Sequence, residues 1–225
     1  MQNTGSADGS AQVRVWDLVV RTGHWVLVAA FFIAYFSSED ADEGIRQIIH
    51  SYAGYAIAGV LIVRLVWGFV GSRYARLSSF LFSPFTALRY FGQLLRQRSK
   101  RYLGHSPAGA MMVFALLISL SITGVAGLVV YAQDGNGPLT PFVQKVERPQ
   151  RPTPGTAFQP GQFRGERPPQ PALEVHEIFG NLSLFLVILH VCGVLWASFA
   201  HRENLPASMI TGRKRAGGTE TVPNP

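Results

Sequence analysis

The chain predicts an all-α integral membrane protein, an up-and-down four-helix bundle, and three observations carry that expectation. Four apolar stretches each reach the ~20 residues that a helix needs to cross a bilayer at about 1.5 Å per residue. Only 15% of the 225 residues are charged against 48% hydrophobic, and the mean hydropathy is +0.18, whereas soluble domains carry about 25% charged residues. Lys and Arg gather in alternate connections, as the topology of a multi-pass chain requires. A disordered chain is excluded, and a cytosolic enzyme is disfavoured.

Residues 1–17 form a polar N-terminal tail with no Lys or Arg before Arg14. No short apolar core there leads to a small-residue cleavage site, so the first span, Leu18 to Phe36, is expected to stay as an anchor. The second span runs from Ile48 to Val70. Ser83-Pro84 then reads as a helix start, and FTALRYFGQLLRQRSKRY mixes Phe85, Leu88, Phe91, Leu94 and Leu95 with Arg89, Arg96 and Arg98. That mixture suits a helix lying in the membrane interface, with a solvated loop as the other reading of its basic end. The third span covers Ala108 to Tyr131 and the fourth Leu173 to Ala200. Between them, residues 132–172 hold nine prolines and read as an extended or disordered periplasmic loop without a fold of its own. The transmembrane domain is thus 18–200, followed by a tail at 201–225. There is no internal repeat.

Charge sets the orientation. Arg73, Arg76, Arg89, Arg96, Arg98, Lys100 and Arg101 lie between spans two and three, and the tails add Arg14, Arg21, Arg202, Arg213, Lys214 and Arg215. The other side holds Arg46, Lys145, Arg148, Arg151, Arg164 and Arg167, with Glu39, Asp40, Asp42 and Glu43 against them. Both termini are therefore expected to be cytoplasmic. The net charge of +7 is a topology and lipid-headgroup signal, and nucleic acid is not an expected partner because no basic soluble fold is left to read it.

The single cysteine forbids an internal disulfide or a thiolate cluster, which leaves histidine as the main candidate metal ligand. Four of six histidines, His24, His50, His176 and His190, fall inside the spans. A lone intramembrane histidine could be a satisfied interhelical hydrogen bond, but four at matching depths point to a site. With helices alternating in direction, His24 and His190 meet in the cytoplasmic half, and His50 and His176 in the outer half. His176 and His190 are 14 residues apart, hence on one helix face to within about 40°, and ~21 Å apart along the axis. Two stacked ligand layers, each closed by a histidine from another helix, are what a pair of bis-histidine haems requires, and imidazole suits iron.

Arg64 stands 14 residues after His50, on nearly the same face but at the depth of the His190 layer. A buried guanidinium there needs an anion such as a haem propionate; a guanidinium snorkelling to the interface is the bland reading. Gly54, Gly59, Gly180 and Gly193 accompany the ligands and would let a flat macrocycle approach backbone, though glycine is ordinary at membrane helix contacts. Span three has no histidine. It carries Ser119, Ser121, Thr123, Gly124 and Gly127, and reads as a packing helix that could wall a quinone pocket. His105, before Ser106-Pro107, and His201 are assigned to the surface, His201 being the alternative cytoplasmic ligand if span four is shifted outward. Cys192 reads as a small apolar residue. Trp16, Trp25, Trp67 and Trp196 gather toward the cytoplasmic ends, as an aromatic belt would.

The runs VRVWDLVVRTGHWVLV, IRQIIHSYAGYAIAGVLIVRLVWGFVGSRYARLSSF, GHSPAGAMMVFALLISLSITGVAGLVVY and VHEIFGNLSLFLVILHVCGVLWASFAHRENLPASMITGRKR resemble the bacterial cytochrome b561 family, which includes the membrane cytochrome b subunit of nickel-iron hydrogenases. The resemblance covers Val13 to Arg215 apart from the proline-rich loop, which departs from the family pattern. It implies two b haems, one held by His24 and His190 and the other by His50 and His176. It further implies electron transfer between quinone and a periplasmic redox protein such as a hydrogenase or c-type cytochrome. A superoxide:quinone oxidoreductase is the competing enzyme reading. A haem-free metal transporter or anchor is the competing reading from another class.

Overall fold

A computed structural model describes residues 11–38, 44–146 and 170–217. Four of its helices are long and apolar enough to cross a membrane: α1 (Leu18–Phe36), α2 (Gly44–Val70), α4 (Pro107–Gln133) and α5 (Pro171–His201). Two shorter helices, α3 (Pro84–Leu95) and α6 (Leu205–Thr211), lie between and after them. Two three-residue strands, β1 (Gln12–Arg14) and β2 (Arg213–Arg215), complete the set. The chain is an all-α membrane bundle, as its apolar spans predict. Helix α2 begins four residues earlier than Ile48, because an αL glycine, Gly44 at φ 69°, is where the helix starts.

Local chemistry explains the helix starts. Asp17 caps α1 by accepting from the Val20 N–H at 2.9 Å, Ser83 caps α3 and Ser106 caps α4, the last two each followed by proline at the first helical position. Asp17 does more than cap. Its other carboxylate oxygen accepts from Trp67 Nε1 at 2.9 Å and from Ser72 Oγ at 2.5 Å, so it pins the start of α1 to the end of α2. Burial pushes its carboxyl up, yet the hydrogen bonds from Ser72, Trp67 and the backbone of Val20 and Val19 outweigh this and hold it below the usual carboxylate range. Asp17→Ala is therefore expected to cost about 2 kcal/mol, roughly half from the lost cap and half from the stranded indole N–H. A thermal melt in detergent with no shift in midpoint would refute it.

Helix α1 packs on α2, α4 on α5, and α2 on α4. Their common core is Ala30, Phe31, Ile57, Leu61 and Leu120, with Leu27, Ala34, Leu117, Leu184 and Val187 packed around it. These residues sit between the two histidine layers in register on every helix. The histidine depths are thus separated by an apolar plug. Below it on the α4–α5 seam, Ser119 and Ser183 share a buried 2.8 Å hydrogen bond, and Thr123 Oγ1 donates to the Ser119 carbonyl. The hydroxyls of Ser119 and Thr123 are thereby spent inside the bundle.

The segments before α1 and after α6 meet. Strand β1 pairs antiparallel with β2, Val13 opposite Lys214, and Arg101 holds Glu203 through two hydrogen bonds of 3.0 and 2.7 Å. Helix α6 is closed by Gly212 at φ 77°, where a Cβ would lie 2.6 Å from the Trp16 carbonyl, so only glycine fits that turn. Arg21 Nη2 donates to the Ile210 carbonyl and Trp25 Nε1 to that of Met209, tying α6 to α1. The tail beyond 201 is accordingly a built cap, where the sequence offers only a basic tail. Burial raises the Glu203 carboxyl, but Arg101, the Arg215 N–H and Lys214 together hold it below its ordinary 4.5. A carboxyl lowered on folding contributes stability above its unfolded value and loses it as pH falls through the folded one. Acidification below about 4.5 should therefore release the 201–217 segment to protease, and Glu203→Gln should release it at neutral pH.

Of the proline-rich connection, residues 147–169 lie outside the described residues. Residues 134–146 depart from the expected extended loop. They form turns through Gly135 and Gly137, at φ 82° and 81°, and Val146 N returns to the Gln133 carbonyl at 2.9 Å. A helix does stand where the interfacial one is expected: α3 buries Ala87, Tyr90 and Leu94 and exposes Phe85, Leu88 and Leu95. Trp196 Nε1 donates to the Leu94 carbonyl at 3.1 Å and fastens it to α5.

Candidate functional site

His50 on α2 and His176 on α5 are brought together in the outer half, their ring centroids 5.9 Å apart and their planes crossed at 77°. Each ring is held from behind. His50 Nδ1 donates to the Ala34 carbonyl at 2.9 Å, and His176 Nδ1 to the Thr123 carbonyl at 2.9 Å. A carbonyl can only accept, so this fixes the tautomer and leaves Nε2 as the free basic nitrogen of both rings. Backbone carbonyls behind the second ring nitrogen are the usual support of a metal-bound histidine. Two metal–imidazole bonds of about 2 Å each, plus about 1 Å from each nitrogen to its ring centre, require centroids roughly 6 Å apart. The observed separation suits a single iron between the rings.

Gly127 on α4 makes the His176 position available. A Cβ there would stand 2.8 Å from His176 Cε1 and 2.9 Å from Nδ1, closer than side-chain atoms approach. The sequence reading missed this role, placing Gly127 only among packing residues. Its signal was faint: Gly127 lies one helical turn after Thr123, whose main-chain carbonyl, invisible to side-chain reasoning, receives the imidazole. Gly54, Gly180 and Gly193, by contrast, have nothing within 4 Å of a built Cβ, so open space adjoins the ligand-bearing faces of α2 and α5.

The second pair lies in the other half of the bundle. His190 lies close enough to His24 to act on it electrostatically, and His24 packs edge-on against Trp25 at 5.2 Å. His24 Nδ1 is buried without a hydrogen-bond partner. Among the described residues, no three of His, Cys, Asp and Glu converge on one point. Cys192 is exposed on α5, outside both pairs.

Arg64 is half-buried. Its Nη1 donates to the Ala75 carbonyl at 2.8 Å, and its guanidinium stands 5.7 Å over the Phe80 ring. It therefore neither snorkels freely nor pairs with an acid in that geometry. His105 corrects the surface assignment. Its ring packs 4.8 Å from Trp16 and 4.6 Å from Phe80, with Nδ1 buried and unpartnered. Burial, reinforced by the charges of Arg64, Lys214 and His190, pushes this imidazole down to about 3, so it is neutral at physiological pH. Trp16, 6% exposed, is buried against His105 and does not stand in an exposed aromatic belt. His201 is also drawn inward, its Nε2 lying 3.4 Å from Tyr90 Oη and from Ser99 Oγ. Those contacts occupy the ring as a tether between α5 and the segment after α3.

Comparison with known proteins gives the family. Residues 15–212 match the prokaryotic cytochrome b561 family. A probable Ni/Fe-hydrogenase B-type cytochrome subunit of Rhizobium leguminosarum bv. viciae is 28% identical, over 51% of this chain and 59% of its own length. A probable Ni/Fe-hydrogenase 1 B-type cytochrome subunit of Escherichia coli strain K12 is 24% identical, over 59% of this chain and 66% of its own length. The chain thus spans less than two thirds of either relative. No solved structure matches it. Four membrane-length helices and a match running from before α1 to the end of α6 lead to one assignment: the chain belongs to the prokaryotic cytochrome b561 family.

Proposed function

We propose that this protein is a di-haem b-type cytochrome that passes electrons between the quinone pool and a periplasmic redox partner. The observation that carries the reading is the outer pair, with His50 and His176 crossed at 5.9 Å and both Nδ1 atoms committed to carbonyls. His24 and His190 would hold the second haem. The haems, when bound, supply one-electron redox chemistry at two depths. The chain's own contribution is to hold the rings, fix the spacing of the centres, and keep water out through the plug around Phe31 and Leu120. No general base or nucleophile is called for.

An apolar groove between α4 and the outer end of α5, lined by Ser121, Ile122, Val125, Ala126 and Val175, adjoins the His176 layer. It suits the isoprenoid tail of a quinone. The pairing of β1 with β2 supports placing both termini on one face, and the Lys and Arg bias supports calling that face cytoplasmic, in a bacterial inner membrane. By likeness to the two hydrogenase-associated relatives, the partner on the outer face is a hydrogenase or another redox protein such as a c-type cytochrome.

Purified protein in vesicles tests this. Added quinol should reduce both b-type absorption bands on the timescale of mixing, and an outer-face oxidant should drain them. Reduction by dithionite with no response to quinol would overturn the quinone-linked reading.

A further inference from the structure

Around the inner histidine layer the bundle gathers buried polar groups whose hydrogen-bonding capacity is unfilled or only partly filled. Trp16 Nε1 and His105 Nδ1 are buried and unpartnered, and their rings touch at 4.8 Å. Lys214 Nζ stands 5.4 Å over Trp16, is itself only 7% exposed, and reaches the Gly104 carbonyl no closer than 3.5 Å. Arg64 closes the group across Phe80, with only Nη1 engaged by Ala75. The groups whose charges act on His105 are Arg64, Lys214 and His190, none of them acidic. The nearest carboxylates are taken: Asp17 by Val20, Trp67 and Ser72, and Glu203 by Arg101 and the Arg215 N–H.

Glu203 acts on Lys214 and Asp17 on Arg64 through space, but neither carboxylate is hydrogen-bonded to them. Buried cations and N–H groups without a hydrogen-bonded acceptor are costly, and an ionised carboxylate, which accepts on two oxygens, is the small group that satisfies several at once. We infer that Trp16, Arg64, His105 and Lys214 form a carboxylate-binding cluster that receives a propionate of the haem held by His24 and His190. The inference rests on the di-haem reading and extends it to three residues that the ligand pattern does not touch. Enclosure favours a propionate over a lipid phosphate: Trp16, Phe80 and Lys214 are nine-tenths buried or more, behind the β1–β2 cap.

The test uses the full-length haem-loaded protein with carbon-13 in the haem propionates, combining a redox titration with redox-difference infrared spectra. Lys214→Met and Trp16→Phe should each lower the midpoint potential of the inner haem and shift a propionate carboxylate band, leaving the outer haem at its wild-type potential. Lys214→Arg should restore both signals. Trp16→Phe keeps the ring and loses only the N–H, and the unchanged outer haem reports that the bundle is folded. Wild-type potentials and bands in both variants would overturn the inference, as would loss of a bound phospholipid, seen by native mass spectrometry, with the haem signals untouched. A wild-type protein carrying fewer than two haems would instead sink the di-haem reading beneath it.

Discussion

Alanine at His50 or at His176 is expected to remove one of the two b-type chromophores and leave the other with its own potential and spectrum. The expectation follows from geometry. The outer pair draws one ring from α2 and one from α5, and each is backed by a single carbonyl, so no other imidazole stands ready to replace a missing one. His24→Ala and His190→Ala should remove the complementary chromophore. The plug of Phe31, Ile57, Leu61 and Leu120 separates the layers, so the loss at one depth should not spread to the other. Simultaneous loss of both bands in each of the four variants would mean that the histidines act on folding and not on separate centres.

Gly127→Ala should weaken retention of the outer haem by about 10–100-fold, the usual cost of disturbing the group behind a metal-bound histidine. The methyl would fall within 2.9 Å of His176 Nδ1 and Cε1, so the ring must swing away and give up the Thr123 carbonyl. The inner haem should be unaffected. Gly124→Ala, one turn nearer the middle of the same helix and with nothing within 4 Å of its built Cβ, is the matched control and should bind both haems normally. Equal haem content in the two variants would show that His176 has slack the structure does not suggest.

The spans and the histidine depths were legible because both are long-range regularities. A 27-residue apolar helix is a strong compositional signal, and helical rise turns residue number into depth. The cap at the inner end was not legible. Strands Gln12–Arg14 and Arg213–Arg215 are three residues each, too short for a periodic pattern, and RKR reads as a basic tail until the closed bundle carries it against Arg14. His105 was misplaced because GHSP looks like a helix start, which it is. The local reading is correct, but tertiary closure also drops Trp16 and Phe80 onto the ring. Gly127 escaped because its partner is a main-chain atom on a helix without a ligand of its own.

The account's central claim is that inward imidazoles clasp two irons, one at each depth. Haem per chain, measured on purified full-length protein by pyridine haemochrome absorbance against amino-acid analysis, tests it most directly. Two b-type haems per chain are expected. One haem or none, in protein whose helical content is intact, would contradict it.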